Sequence, residues 1–201
     1  MSHTETDIDG VLQEVNRKGL LRPSELSNPS ARMHLTRLYK QGKIRRVARG
    51  LYAPISDKPS ESNTLAIASA KVPKGVICLV SALHYYELTT QIPWEVWLAI
   101  PKHSRTPKIT EFPVRFVWYS QSMLKSGVVT ATIDGAPVRI FSPAKTVVDC
   151  FRYRNKVGLD VCLEALREGW RQKLFTMDQI WKLSRTSRIE TVIRPYLESL
   201  Q

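Results

Sequence analysis

The sequence predicts an α+β chain, and three observations predict it. Apolar residues recur at helical spacing up to Lys40. Between Gly75 and Phe141 the pattern changes to short apolar runs broken by turn signals, and from Ser142 onward helical spacing returns. The 201 residues are enough for two small domains, each able to bury a core.

The first helix is expected over Asp7–Lys18, with Ile8, Val11, Leu12 and Val15 on one face and Gly19 ending it. Leu20 and Leu21 lead through Arg22 into a very short helix marked by Pro23 and Ser24 and anchored by Leu26. The next helix is the best signposted. Asn28 suits its N-cap, Pro29 its first position and Gly42 its stop. Ala31, Leu35 and Leu38 form a core-facing stripe, so Met33, Thr36, Arg37 and Lys40, flanked by Ser30 and Arg32, take the opposite side. KIRRV and GLYAP then read as two short strands joined at Ala48-Arg49-Gly50, with a glycine available for a positive φ. Helices followed at once by a basic hairpin have the order of a winged helix-turn-helix, assigned to residues 1–55.

Residues 55–63, ISDKPSESN, have little to bury and read as a linker. A mixed α/β domain is expected over 64–201. A helix over Thr64–Lys71 precedes a buried strand over Gly75–Val80, and Ser81 is expected to cap a helix carrying Leu83, Tyr85, Tyr86 and Leu88. Strands are expected over Trp94–Ile100, Val114–Tyr119 and Val128–Ile133, and Asp134-Gly135 turns the last of these into a return strand over Val138–Phe141. The helical C-terminal part opens with Ser142-Pro143 as cap and first position for Ala144–Arg152. Leu159, Leu163, Leu166 and Trp170 mark the next helix, and Thr176-x-x-Gln179 has capping-box form before a helix through Leu183. The last apolar stripe runs from Ile189 to Leu200, with Pro195 expected to kink or interrupt it.

A formal net charge of +12 points to an anionic partner, with nucleic acid favoured over a membrane surface. Residues 28–54 contain seven basic residues (Arg32, Arg37, Lys40, Lys43, Arg45, Arg46, Arg49) and no acidic one. Double-stranded DNA is the expected partner. Ser30 would position the helix start on phosphate, Arg37 would pair with guanine, and Thr36 or Met33 would meet a thymine methyl group. On the wing, Arg46 and Arg49 are the stronger candidates, because Arg45 shares a face with Val47 and is expected to be drawn inward.

Other chemistries fare worse. No apolar run approaches bilayer-spanning length, and the polar, acidic start MSHTETDIDG resembles no leader, so a cytoplasmic protein is expected. Cys78, Cys150 and Cys162 are widely spaced and fit buried thiols. His3, His34, His84 and His103 are scattered, so neither a metal nor another cofactor is expected. Ser81, His84 and Glu87 lie along one helix and make no nucleophile elbow, and no catalytic residue is assigned. Glu95 lacks a partner lysine two residues on, while Asp134 reads as a turn residue and Asp149 as a helix-surface or satisfied buried group. Trp94, Trp97, Trp118 and Tyr119 read as core and sheet aromatics, with stacking on single-stranded bases as the alternative. Residues 102–108, KHSRTPK, read as a solvated basic loop, with phosphate contacts or an RNA-like partner as the alternative. The rival to a DNA-binding regulator is a nuclease-like, nucleic-acid-processing enzyme that uses the winged helix to deliver substrate.

RLYKQGKIRRVARGLYAP, then VSALHYYELTTQIPWEVWLAIPK, then GAPVRIFSPAKTVVDCFRY followed by GLDVCLEALREGWR appear in that order between Leu35 and Arg171. The chain resembles the AbiE-type (AbiEi) antitoxins, the transcription-regulating half of type IV toxin–antitoxin systems that act in phage defence. The resemblance implies a repressor that binds inverted repeats in its own promoter; because a single module gives modest affinity, a homodimer or cooperative binding on DNA is expected. It also implies a functional link to a nucleotidyltransferase-like toxin. By position, Arg32, Thr36, Arg37 and Lys40 of the recognition helix and Lys43, Arg45, Arg46 and Arg49 of the wing would be the DNA contacts.

Overall fold

The computed structural model describes residues 3–26, 28–55 and 60–200. The chain divides into two compact units, one of Met1–Lys71 with Ala131–Val138, the other of Val72–Thr130 with Arg139–Gln201.

The first unit starts with α1 (His3–Lys18), followed by a 3-10 turn (Pro23–Glu25), α2 (Pro29–Lys40), β1 (Ile44–Ala48), β2 (Leu51–Pro54) and α3 (Asn63–Lys71). Its core gathers the apolar stripes of the first two helices, Ile8, Val11 and Val15 against Ala31, Leu35 and Leu38, and closes with Leu21 and Ile44. The two strands pair antiparallel, and Leu21 adds a bridge to Tyr52 through Leu21 N to Tyr52 O (2.9 Å) and Tyr52 N to Leu21 O (3.0 Å). This is a winged helix-turn-helix. Of the expected linker over 55–63, residues 56–59 lie outside the described residues.

Gly19 ends α1 with φ 67°, and a Cβ built there would come within 2.2 Å of the Asp134 carbonyl oxygen. The close approach and the left-handed backbone both require glycine. Asp134 in turn accepts from Asn63 Nδ2 (2.6 Å) and from the Ser60 amide (3.3 Å).

The rest of the chain, whose residues 131–138 belong to the first unit, runs through β3 (Val76–Ile77), α4 (Leu79–Tyr85), β4 (Val96–Pro101), β5 (Val114–Tyr119), α5 (Gln121–Lys125), β6 (Val128–Ile133), β7 (Ala136–Phe141), α6 (Pro143–Arg152), α7 (Arg154–Val157), α8 (Leu159–Arg171), α9 (Met177–Thr186) and α10 (Glu190–Glu198). The sheet order is β5-β4-β3-β7-β6, with β3 antiparallel to β4 and parallel to β7, and β4 parallel to β5. Trp97, Ala99, Val117 and Tyr119 line one face of it. They meet Leu83 of α4, Val147, Val148 and Phe151 of α6, and Cys162 and Leu166 of α8.

Several expectations about this unit need correction. The apolar run Gly75–Val80 is not one strand: β3 holds only Val76–Ile77 and α4 begins at Leu79 with Cys78 at its N-cap. A continuous apolar run is equally compatible with a buried strand and a buried helix end. Ser81 is therefore no cap. It lies buried within α4, where its hydroxyl accepts from the Trp97 amide at 2.9 Å. Pro195 sits inside α10, so of the kink or interruption expected there the interruption does not occur. The short helices α5 and α7 were not anticipated. Of the aromatics expected to be packed, Trp97 and Tyr119 are buried but Trp94 and Trp118 are 73% and 49% exposed. Trp94 precedes β4, and Trp118 lies on β5, the edge strand, where only one side has a neighbour.

Candidate nucleic-acid interface

α2 is positioned by its cap and its core stripe. The Asn28 side chain accepts from the Ser30 amide at 2.9 Å, and Gly42 leaves the helix end with φ 67°. Burial of Ala31, His34, Leu35 and Leu38 turns Arg32, Met33, Thr36, Arg37 and Lys40 outward. Those five follow the helical repeat, so they share one face. Met33 is 69% exposed, which is unusual for an apolar side chain and places it among the cations. Ser30 lies partly buried at the first turn with its amide already taken by the cap, so its hydroxyl is the group facing outward chemistry. No acidic residue lies in the first turn, and Arg37 and Lys40 occupy the last. The positive end of the helix dipole is thus not neutralised.

The wing adds a second set of cations. Arg46 pairs in register with Tyr52, and the register slips between Arg46 and Ala48, so a bulge lies at the tip side of the hairpin. Arg49 is exposed in the turn and Lys43 at the start of β1, whereas Arg45 is half-buried. The inward bias of Arg45 is felt by Asp134. Burial pushes that carboxyl up, but hydrogen bonds from Asn63 and Ser60, and then the Arg45 charge, hold it below its usual value. Three arginines use Nε alone on a backbone carbonyl: Arg32 on Pro23 (3.1 Å), Arg45 on Pro54 (3.2 Å) and Arg46 on Ala48 (3.3 Å). Such a bond aims the guanidinium while leaving its two terminal nitrogens for an outside acceptor. Among the described residues none of the seven cations from Arg32 to Arg49 forms an ion pair.

Residues 11–55 match a family model described as "Transcriptional regulator, AbiEi antitoxin". Over those residues the winged helix is similar to an AbiEi module. The match begins on α1 and ends just after β2, so it takes in the whole of α2 and the wing. No curated protein matches the full chain significantly. Among solved structures, the chain is similar to the crystal structure of the RV2827C protein from Mycobacterium tuberculosis. The two are 11% identical with a TM-score of 0.52, over 89% of this chain and 69% of that one. At that identity the likeness is one of fold, and it reaches well beyond the AbiEi module.

The second unit holds a feature that the sequence reading missed. Lys145 and Asp149, one helical turn apart on α6, form an ion pair with both side chains out of water. Burial holds the Asp149 carboxyl above its usual range, with the Lys145 charge and hydrogen bond opposing that rise. The ammonium also lies 5.0 Å from the Phe141 ring centre and 5.4 Å from that of Tyr119. The signal was legible: Lys and Asp stand four residues apart on the apolar side of an otherwise hydrophobic helix. Glu95 is likewise committed, paired with Arg115, whose guanidinium lies 4.6 Å from the Trp97 ring centre. Among the described residues no three His, Cys, Asp or Glu side chains gather in a way that would hold a metal, and no helix is long and apolar enough to cross a membrane.

Proposed function

We propose that this chain is a sequence-specific DNA-binding repressor, the antitoxin of a type IV, AbiE-like toxin–antitoxin system that acts in the cytoplasm on inverted repeats in its own promoter. One observation carries the reading: on α2 and the wing Arg32, Arg37, Lys40, Lys43, Arg46 and Arg49 are exposed, and none of them forms an ion pair among the described residues. Arg37 is exposed on the outward face of α2, where a guanidinium can address a guanine edge, with Met33 one turn before it and Thr36 next to it in sequence for a thymine methyl group. Ser30, Arg32, Lys40 and Lys43 hold phosphates on either side, while Arg46 and Arg49 reach the backbone or the minor groove from the wing, with Arg45 behind them. The AbiEi module supports a regulator's role, and the AbiE relationship supports a nucleotidyltransferase-like toxin as its functional counterpart. A single module of this size holds DNA modestly, so two copies on a near-palindromic site are expected. Binding rather than catalysis is supported by Glu95 and Asp149, which are each tied to a cation.

The test is binding of the purified protein to its own upstream DNA and to a scrambled duplex over a salt series. Tight, salt-steep binding to the repeat with weak binding to the scramble is the expected result. Equal, weak binding to both would remove sequence-specific repression.

A further inference from the structure

We propose that the second unit carries a separate surface for single-stranded nucleic acid, formed by Trp118 and the basic loop that follows β4. Strand β5 is an edge strand, and Trp118 lies on it, half exposed. Its ring is held in place. The indole Nε1 donates to the Ser104 carbonyl at 3.3 Å, and Ser104 is itself fixed by its amide (3.1 Å) and its hydroxyl (2.6 Å) on the Pro101 carbonyl. Between them the backbone turns through φ 66° at His103, a left-handed conformation that histidine adopts more readily than most residues. The Lys102 amide extends the β4–β5 ladder by donating to the Tyr119 carbonyl at 2.8 Å. The loop start and the tryptophan therefore form one braced structure.

In the loop that braces the ring, Lys102, His103 and Arg105 flank Ser104 in sequence, with Lys108 further along, all exposed. None of them forms an ion pair among the described residues, although Arg115 on the other face of β5 does. An oriented aromatic plane flanked by unpaired cations is the chemistry that stacks an unpaired base while holding the phosphates on either side. Duplex DNA offers no free base face, so this surface and the winged helix take different substrates. Trp94 does not belong to it. In parallel strands whose register sets Ile100 beside Trp118, Trp94 lies about six residues toward the opposite end, roughly 20 Å away.

The experiment uses the full chain and fluorescein-labelled single strands, dT15 and U15, read by anisotropy against the labelled upstream duplex. Trp118→Ala is expected to weaken single-strand binding about tenfold, Trp118→Phe to restore most of it, and neither to change duplex binding. Lys102→Ala with Arg105→Ala is expected to weaken single strands and flatten their salt dependence. Arg46→Ala with Arg49→Ala should do the reverse, lowering duplex affinity only. Preference for U15 assigns RNA as the natural source, and preference for dT15 assigns DNA. Unchanged single-strand affinity in Trp118→Ala would overturn the proposal, as would loss of single-strand binding in the wing variant alone. Because the probe and the residues differ from those of the promoter test, either reading can fail without the other.

Discussion

The cations of residues 28–55 and four of those in residues 139–198 are the same residue types in opposite electrical settings. In the N-terminal stretch Arg37, Lys40, Arg46 and Arg49 face water with no acidic neighbour in sequence. In the C-terminal stretch, Lys145 meets Asp149, Arg171 meets Glu168, and both Arg185 and Arg194 meet Glu190. Placing Glu three or four residues from Arg on a helix, or just across a helix junction, neutralises the charge locally and keeps it on the protein's own surface. Withholding the acid leaves the field to reach outward, where it can be answered only by another molecule. A cation without a local carboxylate therefore marks a contact surface better than a cation alone. By that criterion the loop from Lys102 to Lys108 belongs with the N-terminal set.

The comparison can be broken by removing one member at a time. The largest effect is expected in the core. Asp149→Ala strands the Lys145 ammonium out of water and should cost about 3–5 kcal/mol of stability, while the double change with Lys145→Met should recover most of it. Urea melts of the three proteins measure this, and a single variant as stable as the parent would show that the pair is not a committed one.

Alkaline pH sharpens the same contrast. Burial first, and the Asp149 charge second, hold the Tyr119 phenol far above its ordinary range. The unfolded chain releases that proton near pH 10 while the folded chain keeps it, so the contribution to stability is intact below about pH 10 and is lost as pH rises beyond it. Tyr119→Phe is expected to flatten the decline, measured as urea midpoints at pH 9, 10 and 11.

At the interface the effects are smaller and specific to DNA. Arg37→Ala should cost about 1–3 kcal/mol on the cognate site and relax sequence preference, whereas Arg46→Ala should weaken all sequences alike and lower the salt slope by about one. Equal loss on cognate and scrambled duplex for Arg37→Ala would remove its base-reading role. Asn28→Ala, which deletes the cap on α2, should lower stability by roughly 0.5–2 kcal/mol. The smallest effect belongs to the paired surface: Arg194→Ala should change stability by no more than about 0.5 kcal/mol and leave DNA affinity untouched.

Much of the fold was legible because it rests on local rules. Asn28, Ser142 and Thr176 act as the caps their neighbours suggested, and the Thr176–Gln179 box forms in full. The same holds for Asp134-Gly135, where φ is positive at both turn residues. The buried stripe of α2 fixed which of its residues face outward, so the position of every expected contact on that helix followed from spacing. What failed shares a cause. Ser81 and the run before it were misjudged because a fully buried segment has no polar face to reveal its period. Trp94 and Trp118 were assigned to the core because an aromatic residue does not announce that its strand lies at an edge.

By itself, then, the sequence determined the helix ends, the turn, the outward face of α2 and the sign of its charge, since each depends on residues within one or two turns of one another. Only the tertiary structure decided which groups leave water and which distant partners meet. It brought Asp149 and Lys145 out of water, set Arg115 over Trp97 and against Glu95, and tied the Trp118 indole to the Ser104 carbonyl. Those outcomes depend on strand order and on which faces are covered, and such information exists only once distant segments have met.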